Sequence, residues 1–194
     1  MCASLFLQPA VPVDRIGWIP LAAALALVRV AKQAGVNLDI KWPNDVECDG
    51  KKVAGILAET VSEGDRVHGV ILGTGINVDW ELDRVPEEIL NRGTALSLCA
   101  SVPVDRDRLL ADYLWELWAV VGELEGERGE GLPAVASEVM SRMVHLGEQV
   151  LVRAGEDEIS GICTGLTREG YLQLDGGRSV VAGELITRIG NGDS

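Results

Sequence analysis

The chain has 194 residues, 47% of them hydrophobic, and its 17 basic and 30 acidic side chains give a net charge of −13. This length suits one substantial core with a small appended domain, and it is too short for two full catalytic domains. The acidic balance repels nucleic-acid phosphates and anionic membrane surfaces, and no basic patch in the sequence offsets it. Neither DNA nor a membrane is therefore an expected partner.

The cysteine usage points to a reducing compartment. The four cysteines are scattered, with no Cys-x-x-Cys pair that could begin a zinc site, so we expect free thiols at Cys2, Cys48, Cys99 and Cys163. The longest apolar run, residues 19–28, is about half of the ~20 residues that a membrane span needs. Residues 1–10 lack the basic segment of a secretory signal, so we expect a cytoplasmic protein.

The first half of the chain predicts one helix among several strands. Residues 1–9 form a short apolar run closed by a proline, which is typical of a buried strand. Residues 18–34 are rich in alanine and leucine and predict a helix that is buried on more than one side. Polar turns then separate four further predicted strands, at residues 38–42, 46–48, 53–61 and 67–78.

The second half predicts helices followed by a strand-rich segment. Apolar residues spaced by three and four mark an amphipathic helix over 105–125, with Trp115 and Trp118 expected in the core or at its rim. A glycine-rich connector at 122–131 and a short helix at 134–143 follow. From residue 147 onward, short alternating segments between glycine turns predict a small β-barrel. Its strands are expected at residues 149–153, 158–167, 171–175, 179–181 and 185–189.

The segment that carries the most chemical information is residues 41–45, Lys-Trp-Pro-Asn-Asp, with Lys52 and residues 55–59, Gly-Ile-Leu-Ala-Glu, after it. Taken singly, Pro-Asn-Asp is a good turn, and residues 49–52 are a polar hairpin tip. Taken together, they put two lysines, an amide and a carboxylate at the mouths of adjacent strands, where a glycine lets backbone approach closely. This composition can hold an anionic acid beside a nucleotide phosphate.

Residues 41–59 resemble the central signature of the biotin protein ligases, a Lys-Trp-Pro-Asn-Asp turn followed by a Lys-Lys-x-x-Gly-Ile-Leu-x-Glu strand. Residues 73–78, Gly-Thr-Gly-Ile-Asn-Val, resemble the family's Gly-x-Gly-Ile-Asn segment. A Gly-x-Gly alone is a weak signal. Its order and spacing after the first motif make the resemblance specific.

The resemblance implies an α+β fold, with a mixed or antiparallel sheet packed against helices in a class II synthetase-like biotin/lipoate ligase core. It implies a catalytic core at residues 1–145 and an SH3-like C-terminal domain at residues 146–194. The family's Gly/Arg-rich loop, the strand and helix before it, and the DNA-binding winged helix of some members have no counterpart in this sequence. We therefore expect an N-terminally truncated core that transfers little biotin by itself.

The implied reaction has two steps. Biotin and ATP give biotinyl-5'-AMP, and a lysine of a biotin carboxyl carrier protein then receives the biotin. By resemblance, Lys52 bridges the biotin carboxylate and the α-phosphate, while Asp45 orients the reacting groups and contributes to a Mg²⁺ site.

The resemblance also implies a set of binding residues. Gly55 and Leu57 line the biotin pocket, the amides of Asn44 and Asn77 face the nucleotide, and Lys41 adds positive charge near the phosphates. The complete implied set is Lys41, Trp42, Asn44, Gly55, Leu57, Gly75 and Asn77.

Two alternatives to an active biotin ligase stay open at this point. The chain could be a catalytically defective fragment that only binds biotin or the carrier protein, or a related lipoate-type ligase. The Lys-Trp-Pro-Asn-Asp segment favours biotin over lipoate. The sequence leaves open which carboxylase supplies the carrier and whether the chain is a monomer or a homodimer.

Overall fold

The computed structural model describes residues 1–64, 66–126 and 131–188, which form two antiparallel sheets and a layer of helices. The strands of the first sheet are β1 (Cys2–Leu7), β2 (Asp39–Lys41), β3 (Asp45–Cys48), β4 (Lys51–Glu63) and β5 (Arg66–Ile76). Their order across the sheet is β1-β5-β4-β3-β2, and each neighbouring pair is antiparallel. All five strands were predicted, with ends that differ by a few residues, but the expected burial of β1 was wrong, because it is an edge strand whose residues alternate between exposed and half-buried.

The helices lie mainly on one side of this sheet. They are α1 (Trp18–Gln33), α2 (Glu87–Arg92), α3 (Leu96–Cys99), α4 (Arg106–Glu125) and α5 (Leu132–Ser141). The sequence predicted α1, α4 and α5. It did not predict α2 and α3, because six and four residues are too few to show a helical period. Residues 127–130 of the expected connector lie outside the described residues.

Helix α1 forms the centre of the core, as its composition predicted. It packs against the first sheet on one side and against α4 and α5 on the other. Most of its side chains, from Trp18 to Ala31, are buried. The helix ends where Gly35 adopts a φ of 77°, a conformation that glycine reaches without steric cost. In the described part of the chain, no helix is both long and apolar enough to cross a membrane.

Helix α4 corrects one prediction. It buries the face that carries Leu109, Tyr113 and Leu117, but Trp115 and Trp118 are each 76% exposed, so placing them in the core or at its rim was wrong. The reason is rotational, because at ~100° per residue Trp115 lies roughly 200° around the helix from Tyr113. The spacing of three and four had included Trp118 in the predicted buried face, although it lies ~100° around the helix from the buried Leu117.

The second sheet is small and follows the helices. Its strands are β6 (Gln149–Ala154), β7 (Asp157–Leu166), β8 (Leu172–Leu174), β9 (Ser179–Val180) and β10 (Glu184–Arg188), in the order β10-β6-β7-β8-β9. The end of the last predicted strand, at residue 189, lies outside the described residues. The predicted α+β class is confirmed.

The register of the first sheet determines what its open face presents. Residues that lie directly opposite each other in antiparallel strands point to the same face. Cys2 lies opposite Gly75, Gly75 opposite Gly55, and Gly55 opposite Asp45. This row crosses four strands on the face away from α1, and it brings both sequence motifs to one surface.

Candidate active site

Three glycines leave the centre of the open sheet face bare. Gly55 lies opposite Gly75, and Gly73 is the next residue of β5 on the same face. A Cβ added at Gly73 or Gly75 would approach no atom closer than 3.8 Å, and neither residue has a positive φ. Neither the backbone nor the packing therefore requires glycine at these two positions. Their missing side chains leave a trough of about 310 Å³.

The walls of this trough combine polar and apolar groups. Ser4, Asn44 and Leu57 lie around it. Leu57 is 59% exposed, an unusual fraction for a leucine in the middle of a long strand. The carbonyl oxygen of Asn44 accepts a hydrogen bond of 2.9 Å from the Ile56 N–H, which fixes the Pro-Asn-Asp turn to β4. The trough is thus a rigid surface with one apolar wall and an amide at its edge.

Lys52 and Asp45 form an ion pair at one end of the trough. Asp45 begins β3, Lys52 is the second residue of β4, and the Lys52 Nζ lies 2.5 Å from the Asp45 Oδ1. The lysine side chain folds over Gly55, where an added Cβ would lie 3.1 Å from both Cε and Nζ. Glycine at position 55 therefore has a local steric reason, unlike glycine at 73 and 75.

The backbone of Lys52 is held by Asn77 of the second motif and by Thr94. Its carbonyl oxygen accepts hydrogen bonds from the Thr94 N–H at 2.9 Å and from the Asn77 Nδ2 at 3.4 Å. The same Asn77 amide donates to the Thr94 carbonyl oxygen at 3.1 Å. Asn77 thus ties three chain segments together beneath the lysine. Its amide group has a positioning task that the sequence motif did not reveal.

A second groove of about 560 Å³ begins where the trough ends. The two share Cys2, Gly55 and Gly75, and the second is also lined by Lys52, Asn77, Trp80 and Arg92. Lys52 therefore stands beside the junction of both grooves.

Trp80 and Arg92 were missed by the sequence reasoning. Trp80 packs its ring against Gly93, where an added Cβ would lie 3.0 Å away. Its place shortly after the Gly-x-Gly-Ile-Asn segment was an available signal. Arg92 belongs to the short helix α2, which no period could reveal. Together they add an aromatic surface and a cation to the groove.

Lys41 lies apart from the two grooves. Its Nζ is 3.5 Å from the Glu47 Oε1, and it faces a separate cleft of about 510 Å³ that is also lined by Asp39, Asp49 and His145. Burial is the main cause that lowers the pKa of His145, so this histidine adds no positive charge to the cleft near neutral pH. The surroundings of Lys41 are acidic, which opposes phosphate binding there.

Trp42 is buried between the two sheets. It is only 2% exposed, and its Nε1 donates to the carbonyl oxygen of Gly170 at 3.2 Å. Trp18, at the start of α1, donates from its Nε1 to the carbonyl oxygen of Arg168 at 2.9 Å. Both acceptors belong to the turn between β7 and β8. The second sheet is therefore attached to the Lys-Trp-Pro-Asn-Asp segment through this turn.

A buried hydrogen bond supports the trough from below. The Thr74 hydroxyl lies between Gly73 and Gly75 but points to the covered face, 2.9 Å from the Tyr113 hydroxyl of α4. Thr74 is 2% exposed and Tyr113 is fully buried. Burial raises the pKa of Tyr113 to about 12, so the phenol stays neutral.

Asp45 alone does not make a metal site. The described residues contain no group of three His, Cys, Asp or Glu side chains that could hold a metal ion. The Asp45 carboxylate is already paired with Lys52. Mg²⁺ commonly takes one or two protein carboxylates together with substrate phosphates. The single carboxylate of Asp45 therefore fits Mg²⁺ only when phosphate oxygens of a bound substrate are the main ligands.

Comparison with known proteins agrees with this geometry. The model of the biotin/lipoate A/B protein ligase family matches residues 3–77, and the model of the biotin protein ligase C terminal domain matches residues 145–187. The chain is 32% identical over 170 residues to the biotin--[acetyl-CoA-carboxylase] ligase of Paracoccus denitrificans, and the match covers 84% of this chain and 69% of that protein. The chain belongs to the biotin protein ligase family. The resemblance seen in the sequence is thereby confirmed.

Other biotin protein ligases extend beyond the part that matches. The bifunctional ligase/repressor BirA of Bacillus subtilis is 43% identical over 112 residues, which cover 57% of this chain and 34% of that protein. The chain thus spans about a third of that relative's length. A structure of the biotin protein ligase from Aquifex aeolicus in complex with biotin and ATP superposes with a TM-score of 0.78 at 27% identity, covering 96% of this chain and 78% of that one.

Proposed function

We propose that this chain activates biotin with ATP to form biotinyl-5'-AMP and transfers the biotin to a lysine of a biotin carboxyl carrier protein. Membership of the biotin protein ligase family supports the reaction. The Aquifex relative was solved with biotin and ATP. The relatives named for biotin favour biotin over lipoate as the acid.

The observation that carries the proposal is the pair of grooves that meet beside Lys52. The bare trough over Gly73 and Gly75 suits a compact bicyclic acid such as biotin, with Leu57 as apolar wall and Gly55 beneath its carboxylate end. The groove with Trp80 suits a nucleotide, because an aromatic ring can stack on a base. This arrangement brings a carboxylate and an α-phosphate to the same cation.

Lys52 is the proposed catalytic residue. In the first step, a carboxylate oxygen of biotin attacks the α-phosphorus of ATP, and the bond to the β-phosphate breaks as pyrophosphate leaves. Negative charge meets negative charge during this approach. An ammonium group fixed between the carboxylate and the α-phosphate lowers the barrier, because its attraction for negative charge is strongest in the transition state, where that charge is concentrated. Asp45, the ion-pair partner, holds that ammonium group in place at 2.5 Å.

The second step transfers the acyl group. The neutral amine of the carrier lysine attacks the acyl carbon of biotinyl-5'-AMP, and the bond between that carbon and the phosphate oxygen breaks. An amide forms, AMP leaves with the oxygen, and the amine loses one proton to water. Lys52 remains beside the departing phosphate and stabilises its charge. The open trough leaves the acyl carbon within reach of a lysine from another protein.

The remaining predicted binding residues divide by position. We assign Asn44 and Gly75 to the rims of the two grooves, where they face bound substrate. Asn77 lines the nucleotide groove while it holds the Lys52 backbone. Trp42 is assigned to positioning rather than to ligand contact, because it is buried against Gly170. Lys41, which pairs with Glu47, is assigned to the acidic cleft and not to the phosphates.

We propose Mg²⁺ as the ion that accompanies ATP. Its main ligands would be phosphate oxygens, together with the Asp45 carboxylate. When bound, such an ion neutralises phosphate charge and so assists the departure of pyrophosphate.

We also propose the division into a catalytic core at residues 1–145 and a C-terminal domain at residues 146–194. The separate second sheet and the match of the C-terminal family model to residues 145–187 support it. The four cysteines are free, which supports a reducing, cytoplasmic setting. The net charge of −13 argues against DNA or an anionic membrane as a further partner.

Pyrophosphate release with biotin and ATP tests the proposal. Lys52→Ala should lower the turnover number about 10²- to 10³-fold while biotin affinity changes far less. The matched control is Lys51→Ala, which removes the same charge one residue away, where the exposed Nζ only donates to the Leu90 carbonyl oxygen at 2.8 Å. Equal losses in the two variants would contradict the proposal.

A further inference from the structure

Two cysteines from separate elements lie in contact near Lys52. Cys48 is the last residue of β3, and Cys99 is the last residue of α3. Their thiols share a hydrogen bond, although one belongs to the sheet and the other to a short helix much later in the chain. Both thiols are free in the structure. Two thiols in contact can become a disulfide when an oxidant is supplied.

The hydrogen bonds around this thiol pair connect it to the backbone of Lys52. Cys48 lies opposite Lys51 in the hairpin that joins β3 to β4. The Thr94 N–H donates to the Lys52 carbonyl oxygen at 2.9 Å, and the Thr94 hydroxyl lies 4.0 Å from the Cys99 Sγ. Cys99 therefore contacts the residue that holds Lys52 in place. A change at the thiol pair is transmitted to the lysine through one residue.

The two thiols differ in exposure. Cys48 is buried, and burial is the main cause that raises its pKa to about 12. Its thiol stays protonated and is a poor first nucleophile, because the thiolate is the reactive form. Cys99 is half-buried, so a small oxidant from solvent can reach its sulfur. This difference assigns the first oxidation step to Cys99 and the second step to Cys48.

We propose that Cys48 and Cys99 form a reversible disulfide when a peroxide oxidises the protein. The Cys99 sulfur attacks one oxygen of hydrogen peroxide, the O–O bond breaks, and Cys99 becomes a sulfenic acid while the other oxygen leaves as water with the thiol proton. The Cys48 sulfur then attacks the Cys99 sulfur. The S–O bond breaks, and a second water leaves with the Cys48 proton. The two thiols lose two electrons and two protons, and the peroxide is reduced to two waters.

The disulfide should displace the segment that holds Lys52. A covalent bond requires the two sulfur atoms to lie closer together than a hydrogen bond does, so one of the two elements must move. Cys48 is paired within the sheet, whereas α3 has only four residues. The Leu96 N–H at the start of α3 donates to the Asn77 carbonyl oxygen at 2.9 Å. Movement of α3 towards β3 therefore pulls on Thr94 and Asn77, the two residues that bond to the Lys52 carbonyl oxygen.

The consequence for catalysis rests on the proposed function. Lys52 is the proposed catalytic residue, and a displacement of about 1 Å at a reacting group can cost roughly 100-fold in rate. We expect the oxidised chain to turn over at least about tenfold more slowly than the reduced chain. Reduction restores the two thiols, so the loss of turnover is reversible. The thiol pair would then suspend the reaction while peroxide is present.

Mass spectrometry and thermal unfolding test the disulfide. All measurements use a Cys2→Ser background, because the exposed Cys2 thiol would react by itself. Hydrogen peroxide should remove two hydrogen atoms from the chain and link the peptides that contain Cys48 and Cys99. The bond closes a loop of roughly 50 residues, so the melting temperature should rise by about 5–15 °C and return to its first value with dithiothreitol.

Two further cysteine variants in this background serve as controls. Cys99→Ser should form no disulfide and show no rise in melting temperature. Cys163→Ala is the matched control, because it removes a second buried thiol, in β7, that lies outside the pair. It should still form the disulfide between Cys48 and Cys99. Free thiols at these two positions after treatment with excess peroxide would overturn the proposal.

Amide spectra and turnover test the displacement. The ¹H–¹⁵N signals of Thr94, Leu96 and the Asn77 side chain should differ between the reduced and oxidised chains, while that of Val152 in the second sheet should not. Pyrophosphate release should slow on oxidation and recover with dithiothreitol, and Cys99→Ser should be insensitive. Unchanged signals at Thr94, or an oxidised chain that turns over as fast as the reduced one, would overturn the switch. The masses, melting temperatures and spectra are measured without substrate, so they test the disulfide even where the proposed chemistry fails.

Discussion

The Trp42 indole donates a hydrogen bond of 3.2 Å to the carbonyl oxygen of Gly170 and so connects the two sheets across 128 positions of sequence. Trp42 is followed directly by the Pro-Asn-Asp turn that ends in Asp45, the ion-pair partner of Lys52. A contact from the turn between β7 and β8 thus reaches Lys52 in three steps: Gly170 to Trp42, the turn to Asp45, and Asp45 to Lys52.

Trp42→Phe should therefore slow catalysis as well as weaken the fold. The substitution keeps an aromatic ring, but a smaller one, and removes the donor; a buried carbonyl left without its partner costs about 1–3 kcal/mol. Because the turn before Asp45 loses one of its two anchors and keeps only the Asn44–Ile56 hydrogen bond, the turnover number for pyrophosphate release should fall about tenfold. Trp18→Phe removes a similar bond to Arg168 but lies on α1. Denaturant unfolding should show similar losses of stability in Trp42→Phe and Trp18→Phe, whereas the turnover number should fall only in Trp42→Phe. Equal losses of turnover in the two variants would contradict the coupling.

Gly75→Val should block the trough without harming the fold. An added Cβ would meet its nearest atom, the Gly55 carbonyl oxygen, at 3.8 Å, and valine favours strands. Biotin affinity, measured by calorimetry, should fall at least about tenfold while the melting temperature holds. Gly69→Ala is a control with the reverse expected pattern. Its Cβ would approach the Leu7 carbonyl oxygen at 2.5 Å, so the melting temperature should fall, while the biotin affinity of the folded protein should be unchanged. Unchanged biotin binding by Gly75→Val would remove the trough from the site.

Arg29→Met should lower the free energy of unfolding, and the loss should be larger at neutral pH than at acidic pH. The Arg29 guanidinium ties α1 to three carboxylates, Glu116 at 3.1 Å, Glu123 at 2.7 Å and Glu138 at 2.6 Å. Removing this partly buried cation should cost about 1–3 kcal/mol at pH 7, because three acidic side chains are left together. Arg84→Met, which breaks an exposed pair with Glu81, should cost less than about 1 kcal/mol.

The pH dependence of that loss has a definite sign. The hydrogen bond from Arg29 is the main cause that holds the pKa of Glu138 below its ordinary value near 4.5. A lowered carboxyl pKa contributes stability that is present above pH 4.5 and is lost as the pH falls through the folded-state value. The difference in unfolding free energy between the unaltered chain and Arg29→Met should shrink below about pH 4.5. A difference that stays constant from pH 7 to pH 3 would show that packing, not charge, causes the loss.

Tyr113→Phe should destabilise the fold because it removes the hydrogen-bond partner of Thr74. It leaves the buried Thr74 hydroxyl without its hydrogen bond, at a cost of about 1–3 kcal/mol. Adding Thr74→Val should recover most of that loss, since both polar groups are then absent. The pKa of Tyr113 is raised to about 12, so the neutral phenol contributes stability below pH 10 that is lost as the pH rises towards 12. Base-induced unfolding should therefore be less steep in Tyr113→Phe, and double variants no more stable than Tyr113→Phe would contradict this account.

The sequence by itself determined the elements with strong local patterns and which motifs carry the proposed site. Short apolar runs bounded by polar turns gave β1 to β5, and helical spacing gave α4, because burial on one face imposes a period on the chain. The two motifs identified Lys52 and Asp45 as neighbours on adjacent strands, because a short turn between antiparallel strands fixes which residues meet. The buried α1 followed from its continuous apolar composition.

Only the tertiary structure decided which residues from distant segments contact one another and which of them line the grooves. The contact of Trp42 with Gly170, the separation of Lys41 from the grooves, and the place of Trp80 and Arg92 depend on packing between segments far apart in sequence. The glycines illustrate the difference: Gly55, Gly73 and Gly75 look alike in sequence, yet one makes room for a lysine of its own chain while the others leave space open. A local pattern records which face is buried, whereas what covers that face is set by the whole fold.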